Sequence, residues 1–193
     1  LFEVLESTED KNGNPAKMTL NFVTANPDFD KIRNSGYNEY YYEPIVETYN
    51  RYPGSEKAMD LLKEGLVRNL VKPQFHGREH VNVKKWMDAL KSKHKAVLDA
   101  FEYRMFSLRY QENPDYKHEF MDGLDFNDES ELAVHSEILE EGYDLFNKLW
   151  GYNSLSFIAN CYIWHPSHEK ILKKLGIKYI QTIANQFIPI SGK

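Results

Sequence analysis

The chain predicts an α/β fold built on a parallel sheet, either open or closed into a barrel, and three observations point there. Short runs rich in strand-forming residues occur at Met18 to Val23, Val71 to Phe75, Ser154 to Ala159 and Ile177 to Thr182. Longer stretches with apolar residues at helical spacing lie between them, most plainly Leu132, His135, Leu139, Tyr143 and Phe146. Cap and breaker residues mark the joints, with Gly151 and Gly176 following two of the helical patterns.

Each element has its own local signature. Leu1 to Leu5 has helical spacing, and Lys11-Asn12-Gly13-Asn14-Pro15 is a turn before the first strand. Residues 24–28 read as a loop, and residues 37–42 are polar and aromatic with no period. Pro44 suits the first turn of a short helix reaching Tyr49. Ser55 is the expected N-cap of a helix to about residue 69, with Met59, Leu62 and Leu66 on its inner face. The strand from Val71 to Phe75 contains Pro73, which suits a strand end or a sheet edge, because proline cannot donate to a ladder.

Asn82 is the expected cap of one helix continuing to Phe101, with Val83, Trp86, Leu90 and Val97 near one face. Residues 104–126, which include Asn113-Pro114-Asp115, have no sustained pattern and read as an insertion. Asp128 with Glu131 resembles a capping box opening the long helix that ends at Gly151. Pro166-Ser167 opens the last helix with Ser167 as N-cap, ahead of the strand at 177–182.

Composition limits the function. Hydrophobic residues make up 41% and charged residues 27%, ordinary for a globular chain, which at 193 residues is read as one domain. The net charge of −5 and the lack of a basic stripe argue against a nucleic-acid partner. Cys161 is the single cysteine, so neither an internal disulfide nor a cysteine-rich zinc site can form. No apolar run reaches the length of a membrane span and no signal peptide is visible, so a soluble chain is expected, its compartment undetermined. The chain opens at Leu1 inside a helical pattern and closes at Lys193 just after an apolar segment, so it reads as a piece of a longer polypeptide. Aromatics reach 14%, with 13 Tyr and 11 Phe, which suits either core packing or sugar stacking.

Chemistry concentrates in Lys72-Pro73-Gln74-Phe75-His76-Gly77-Arg78-Glu79-His80. His76 and His80 fall where a buried strand ends and a loop begins, the usual place for chemistry in parallel α/β folds. Four residues apart, two imidazoles can face one cation, though zinc takes three or four donors. Read blandly, they are ordinary polar loop residues. The string also fits H-x-x-E-H, a zinc-peptidase motif in which Glu79 would be the general base, but that motif needs a continuous helix, which Pro73 and Gly77 oppose.

A third reading comes from resemblance. His76-Gly77-Arg78-Glu79-His80 after a strand is similar to the His-Ser/Thr-x-x-His motif of polysaccharide deacetylases (the NodB homology, or carbohydrate esterase family four type), with Gly77 in the Ser/Thr place. Ala16-Lys17-Met18-Thr19-Leu20-Asn21-Phe22-Val23 resembles the family's Ala-Thr-Phe-Phe-Val strand, and Leu172 to Tyr179 resembles its Leu-Lys-x-Leu-Gly-Tyr segment. The likeness covers about half the chain, in pieces that keep the family's order. It implies an incomplete (β/α) barrel of the glycoside hydrolase/deacetylase type with a helical insertion. It also implies a divalent metal, zinc first, on His76 and His80, and hydrolysis of an N- or O-acetyl group on a polysaccharide or oligosaccharide. Trp164, Tyr162 and Phe75 are candidate sugar-stacking residues, although core packing suits each, and His165 could lie near the same face. Arg78 and Glu79 would support the site or touch substrate, while Tyr40, Tyr41 and Tyr42 could line a groove or pack the loop.

The chain departs from the family in three places. The Asp-Asp motif, which supplies the family's general base and third metal ligand, would lie before Leu1. The third motif's Arg is missing from Phe157-Ile158-Ala159-Asn160-Cys161-Tyr162. The Leu-x-His segment with the general acid would lie beyond Lys193. The catalytic residues are therefore unassigned, and an inactive relative serving as a carbohydrate-binding or structural module is the alternative.

Overall fold

The computed structural model describes residues 1–108 and 120–192. It is a mixed α/β structure around a four-stranded parallel sheet. Helix α1 (Phe2–Ser7) precedes β1 (Met18–Phe22). A short antiparallel pair, β2 (Ala25–Pro27) with β3 (Tyr42–Pro44), brackets α2 (Phe29–Asn34). Helices α3 (Ile45–Arg51) and α4 (Ala58–Val67) lead to β4 (Val71–Phe75). Then come α5 (Val83–Lys91), α6 (Lys95–Glu102), the 20-residue α7 (Glu131–Trp150), β5 (Ser156–Ile158), α8 (Pro166–Lys174) and β6 (Tyr179–Gln181). The main sheet runs β1-β4-β5-β6, each strand beside its predecessor in the sheet. Among the described residues no helix is long and apolar enough to cross a membrane.

The two faces of the sheet differ because side chains alternate along each strand. Phe22, Phe75 and Phe157 join one buried cluster with Leu139, Tyr143, Phe146 and Trp150 of α7 and Leu172 of α8. On the other face, Gln74 Nε2 donates to Asn21 Oδ1 at 2.5 Å and Gln181 Oε1 at 2.7 Å, and Ser156 Oγ donates to Gln74 Oε1 at 2.6 Å. One polar side chain from each strand thus forms a row across the sheet. A second apolar cluster lies under α2, α5 and α6 and centres on Trp86, which is fully buried, Phe29 and Phe101.

Several expected elements take a different form. Pro73 lies in an interior strand rather than at an edge. Met18 N–H bonds Leu70 O and His76 N–H bonds Phe22 O, so by alternation Pro73 faces the β5 side. There β5 pairs with β4 only at Phe75, so the missing N–H interrupts no ladder bond. The helix expected from Val83 to Phe101 is two helices, separated at Lys93 with φ 57°. Ser55 caps nothing; its hydroxyl donates to Tyr49 O and Tyr52 O, and α4 starts at Ala58. Residues 24–28, expected as a loop, contain β2 and end in Asp28, whose side chain caps α2. His165 replaces Ser167 as the cap of α8. In the expected insertion, the described residues form no helix or strand, and Asn113-Pro114-Asp115 lies outside them.

Candidate functional site

β4 delivers His76 to the C-terminal rim of the sheet. His76 Nδ1 lies 2.7 Å from Ile158 O, at the end of the neighbouring β5. A carbonyl only accepts, so Nδ1 carries the proton and Nε2 keeps its lone pair. Burial, helped by the nearby His80, lowers the His76 pKa to about 4, so the ring is neutral at physiological pH. Gly77 turns the chain out of the strand with φ 98°, a conformation that strains any residue with a Cβ. That requirement explains the glycine at position 77. Residues 76–82 contain no helix, yet the His76 and His80 rings come within 5.0 Å, centroid to centroid, at 72°. The zinc-peptidase reading, which needs both on one helix, is overturned.

The intervening residues pin this loop. Arg78 and Glu79 form a two-point ion pair, Nε to Oε2 at 2.6 Å and Nη2 to Oε1 at 2.7 Å, with their side chains 6% and 1% exposed. Arg78 also meets Glu141 of α7 and lies over the Tyr42 ring at 4.2 Å and the Tyr40 ring at 5.6 Å. Its carbonyl accepts from the N–H groups of Thr24 and Ala25 at 2.9 and 2.7 Å. A Cβ on Gly142 would sit 2.8 Å from the Arg78 backbone, so only glycine lets α7 approach this closely. Arg78 and Glu79 are therefore structural supports, and Tyr40 and Tyr42 pack the loop.

Asn160 is a site residue that sequence reasoning missed. It is buried, and its Nδ2 donates to His76 O at 3.1 Å. It stands in the segment compared with the family's third motif, where the structure makes a tight 3₁₀ turn with positive φ at Cys161 (53°) and Tyr162 (60°). Strained backbone of this kind persists only where its surroundings hold it. No local pattern marks Asn160; its partner is 84 residues away.

The sugar-stacking candidates are placed unequally. Phe75 is fully buried against Tyr143, Phe146 and Phe157 and offers no surface to a sugar. Trp164 is 4% exposed, with Nε1 donating to Glu169. Tyr162 alone of the three is half-buried, beside Asn160.

His165 belongs to a different cluster. Its Nδ1 accepts from Ser167 N–H, and it packs near Phe126 and His168. His168 in turn contacts His135 of α7, with Nε2 3.2 Å from His135 Nδ1. The His165/His168 spacing, i and i+3 around Pro166, was the available signal for this cluster.

The chemistry of the donor set suits a cation at His76 and His80: two imidazoles, that of His76 neutral and held in the required tautomer by a backbone carbonyl, as metal-binding histidines usually are. Among the described residues no group of three or more His, Cys, Asp or Glu is placed to hold a metal ion. Comparison with family models, curated proteins and solved structures finds no match to this chain.

Proposed function

We propose that this chain belongs to a metal-dependent hydrolase of the polysaccharide deacetylase type, removing acetyl groups from an N- or O-acetylated glycan. The observation that carries the reading is the His76–His80 pair at the C-terminal end of a parallel strand, with Nδ1 of His76 fixed to Ile158 O. Sequential parallel strands β1-β4-β5-β6 suit a segment of a (β/α) barrel, whose chemistry sits at that rim. A divalent cation, zinc first, would supply Lewis acidity to polarise an acetyl carbonyl. His76 and His80 would hold it, with further ligands from outside this pair. Asn160 and the Arg78–Glu79 pair keep the two imidazoles in register, and half-buried Tyr162 is the accessible aromatic for a sugar face.

The test is metal analysis of the purified protein with an assay of acetate release from acetylated chito-oligosaccharides and acetylated xylan. Bound zinc with acetate release supports the reading. Absence of both would remove it. Glycan binding without acetate release would instead favour the carbohydrate-binding module, the reading that the missing third-motif Arg favours.

A further inference from the structure

A cleft of about 150 Å³ lies between the start of α5 and the first turns of α7. Val83, Val134, Ile138 and Gly123 wall it, and Val134, 51% exposed, leaves its mouth open to solvent. Three polar side chains also line it: Lys84 of α5, and Glu131 and His135, which are 7% and 5% exposed and one turn apart on α7.

The hydrogen bonds around Glu131 and His135 fix what each can offer. His165 N–H donates to His168 Nδ1 at 3.0 Å, so that nitrogen is bare and a neutral His168 carries its proton on Nε2. Nε2 then donates to His135 Nδ1 at 3.2 Å. A neutral His135 must therefore carry its proton on Nε2, and no hydrogen bond among the described residues engages that atom. Glu131 spends Oε1 on the N–H groups of Asn127 and Asp128, each at 3.2 Å. Its Oε2 is likewise unengaged among the described residues. With the Lys84 ammonium held by Asp88, the cleft offers one N–H donor, one carboxylate acceptor and apolar walls.

A ligand must match all three. An anion would meet the Glu131 carboxylate, and the nearby Lys84 ammonium is paired with Asp88 at 2.7 Å. A cation would meet the His135 N–H. A neutral amide satisfies both groups, its carbonyl accepting from His135 and its N–H donating to Glu131, while an attached methyl takes the apolar wall. A cavity of this volume is large enough for a benzene ring, so an acetamido group fits with room to spare.

We propose that the cleft between α5 and α7 is a binding subsite for the acetamido group of an N-acetylated sugar. The choice of a sugar as carrier rests on the acetylated-glycan reading; the amide chemistry does not.

The test is nuclear magnetic resonance titration of the 15N-labelled protein in the presence of EDTA, with N-methylacetamide and N-acetylglucosamine as probes and acetate and glucosamine as comparators. Both amides are expected to shift the Glu131, Val134, His135 and Ile138 signals in a saturable way, and the comparators to leave them in place. Val134→Trp, at an exposed position, fills the mouth and is expected to weaken binding at least about tenfold, the effect of losing roughly one good contact; Ile138→Trp should act alike. Unmoved signals on α7, equal shifts with acetate, or unchanged affinity in the tryptophan variants would overturn the proposal. Shifts confined to the His76–His80 loop would also overturn it, while leaving the deacetylase reading intact. Shifts on α7 in a protein that neither binds zinc nor releases acetate would support the cleft and sink the deacetylase.

Discussion

Two histidine pairs sit at almost the same separation and do different things. The His76 and His80 rings are 5.0 Å apart, those of His135 and His168 5.3 Å. In the first pair one nitrogen is spent on a backbone carbonyl, and Nε2 of His76 keeps its lone pair. In the second pair the rings bond to each other, and the atom left over is a proton donor. Proximity of imidazoles therefore does not define a metal site; the hydrogen bonds behind them decide which atom faces outward and whether it is a lone pair or an N–H. The supports differ as well. A loop pinned by an ion pair carries the first, whereas two packed helices carry the second.

The strongest way to break this contrast is to cut the loop's anchor. Arg78→Ala leaves the Glu79 charge buried without its partner and is expected to cost about 3–5 kcal/mol in urea unfolding. If the loss is under 1 kcal/mol, the ion pair is not what holds His80 beside His76. Next, His80→Ala should lower affinity for zinc or cobalt by more than about 100-fold, since removing even an outer support of a ligand commonly costs 10–100-fold. His168→Ala should leave that affinity within a few-fold of the starting value. Equal losses in a cobalt absorption titration would erase the distinction between the pairs.

Acid should act through both rings of the second pair, and through His76 of the first. Burial lowers His135 to about 4 and His168 to about 3, the latter also opposed by the neighbouring histidines. Asp125 pulls His135 up and Lys85 pushes it down. Since the unfolded rings titrate near the ordinary histidine value of 6.5, the unfolded chain binds more protons below it. The stability these neutral rings contribute is complete above about pH 6.5 and is lost progressively as pH falls towards 4 and 3. Urea midpoints measured from pH 7 to 4 should show this slope, and His168→Leu should flatten it. The smallest effect is expected at Asn82, whose side chain caps α5 just after His80 by accepting from Lys85 N–H at 3.1 Å. Asn82→Ala should cost about 1–2 kcal/mol while leaving the acid slope unchanged.

The sequence by itself determined the elements whose causes are local. The strand at Val71–Phe75, the long helix ending at Gly151, the Gly176 stop and the alternation of strands with helices all follow from side-chain period and cap residues within a few positions. It also placed His76 at a strand end. Tertiary structure alone decided the rest. Pro73 is tolerated inside the sheet because β5 is too short to need its N–H, and nothing near residue 73 records the length of β5. Strands β2 and β3 exist only through each other, and Asn160 acquires its role from a carbonyl 84 positions away. The tautomer of His135 is set, through His168, by the backbone N–H of His165 at the cap of α8. Hydrogen bonds across the fold choose the protonated nitrogen of each ring, and their partners are distant in the chain, so residue spacing cannot encode the choice.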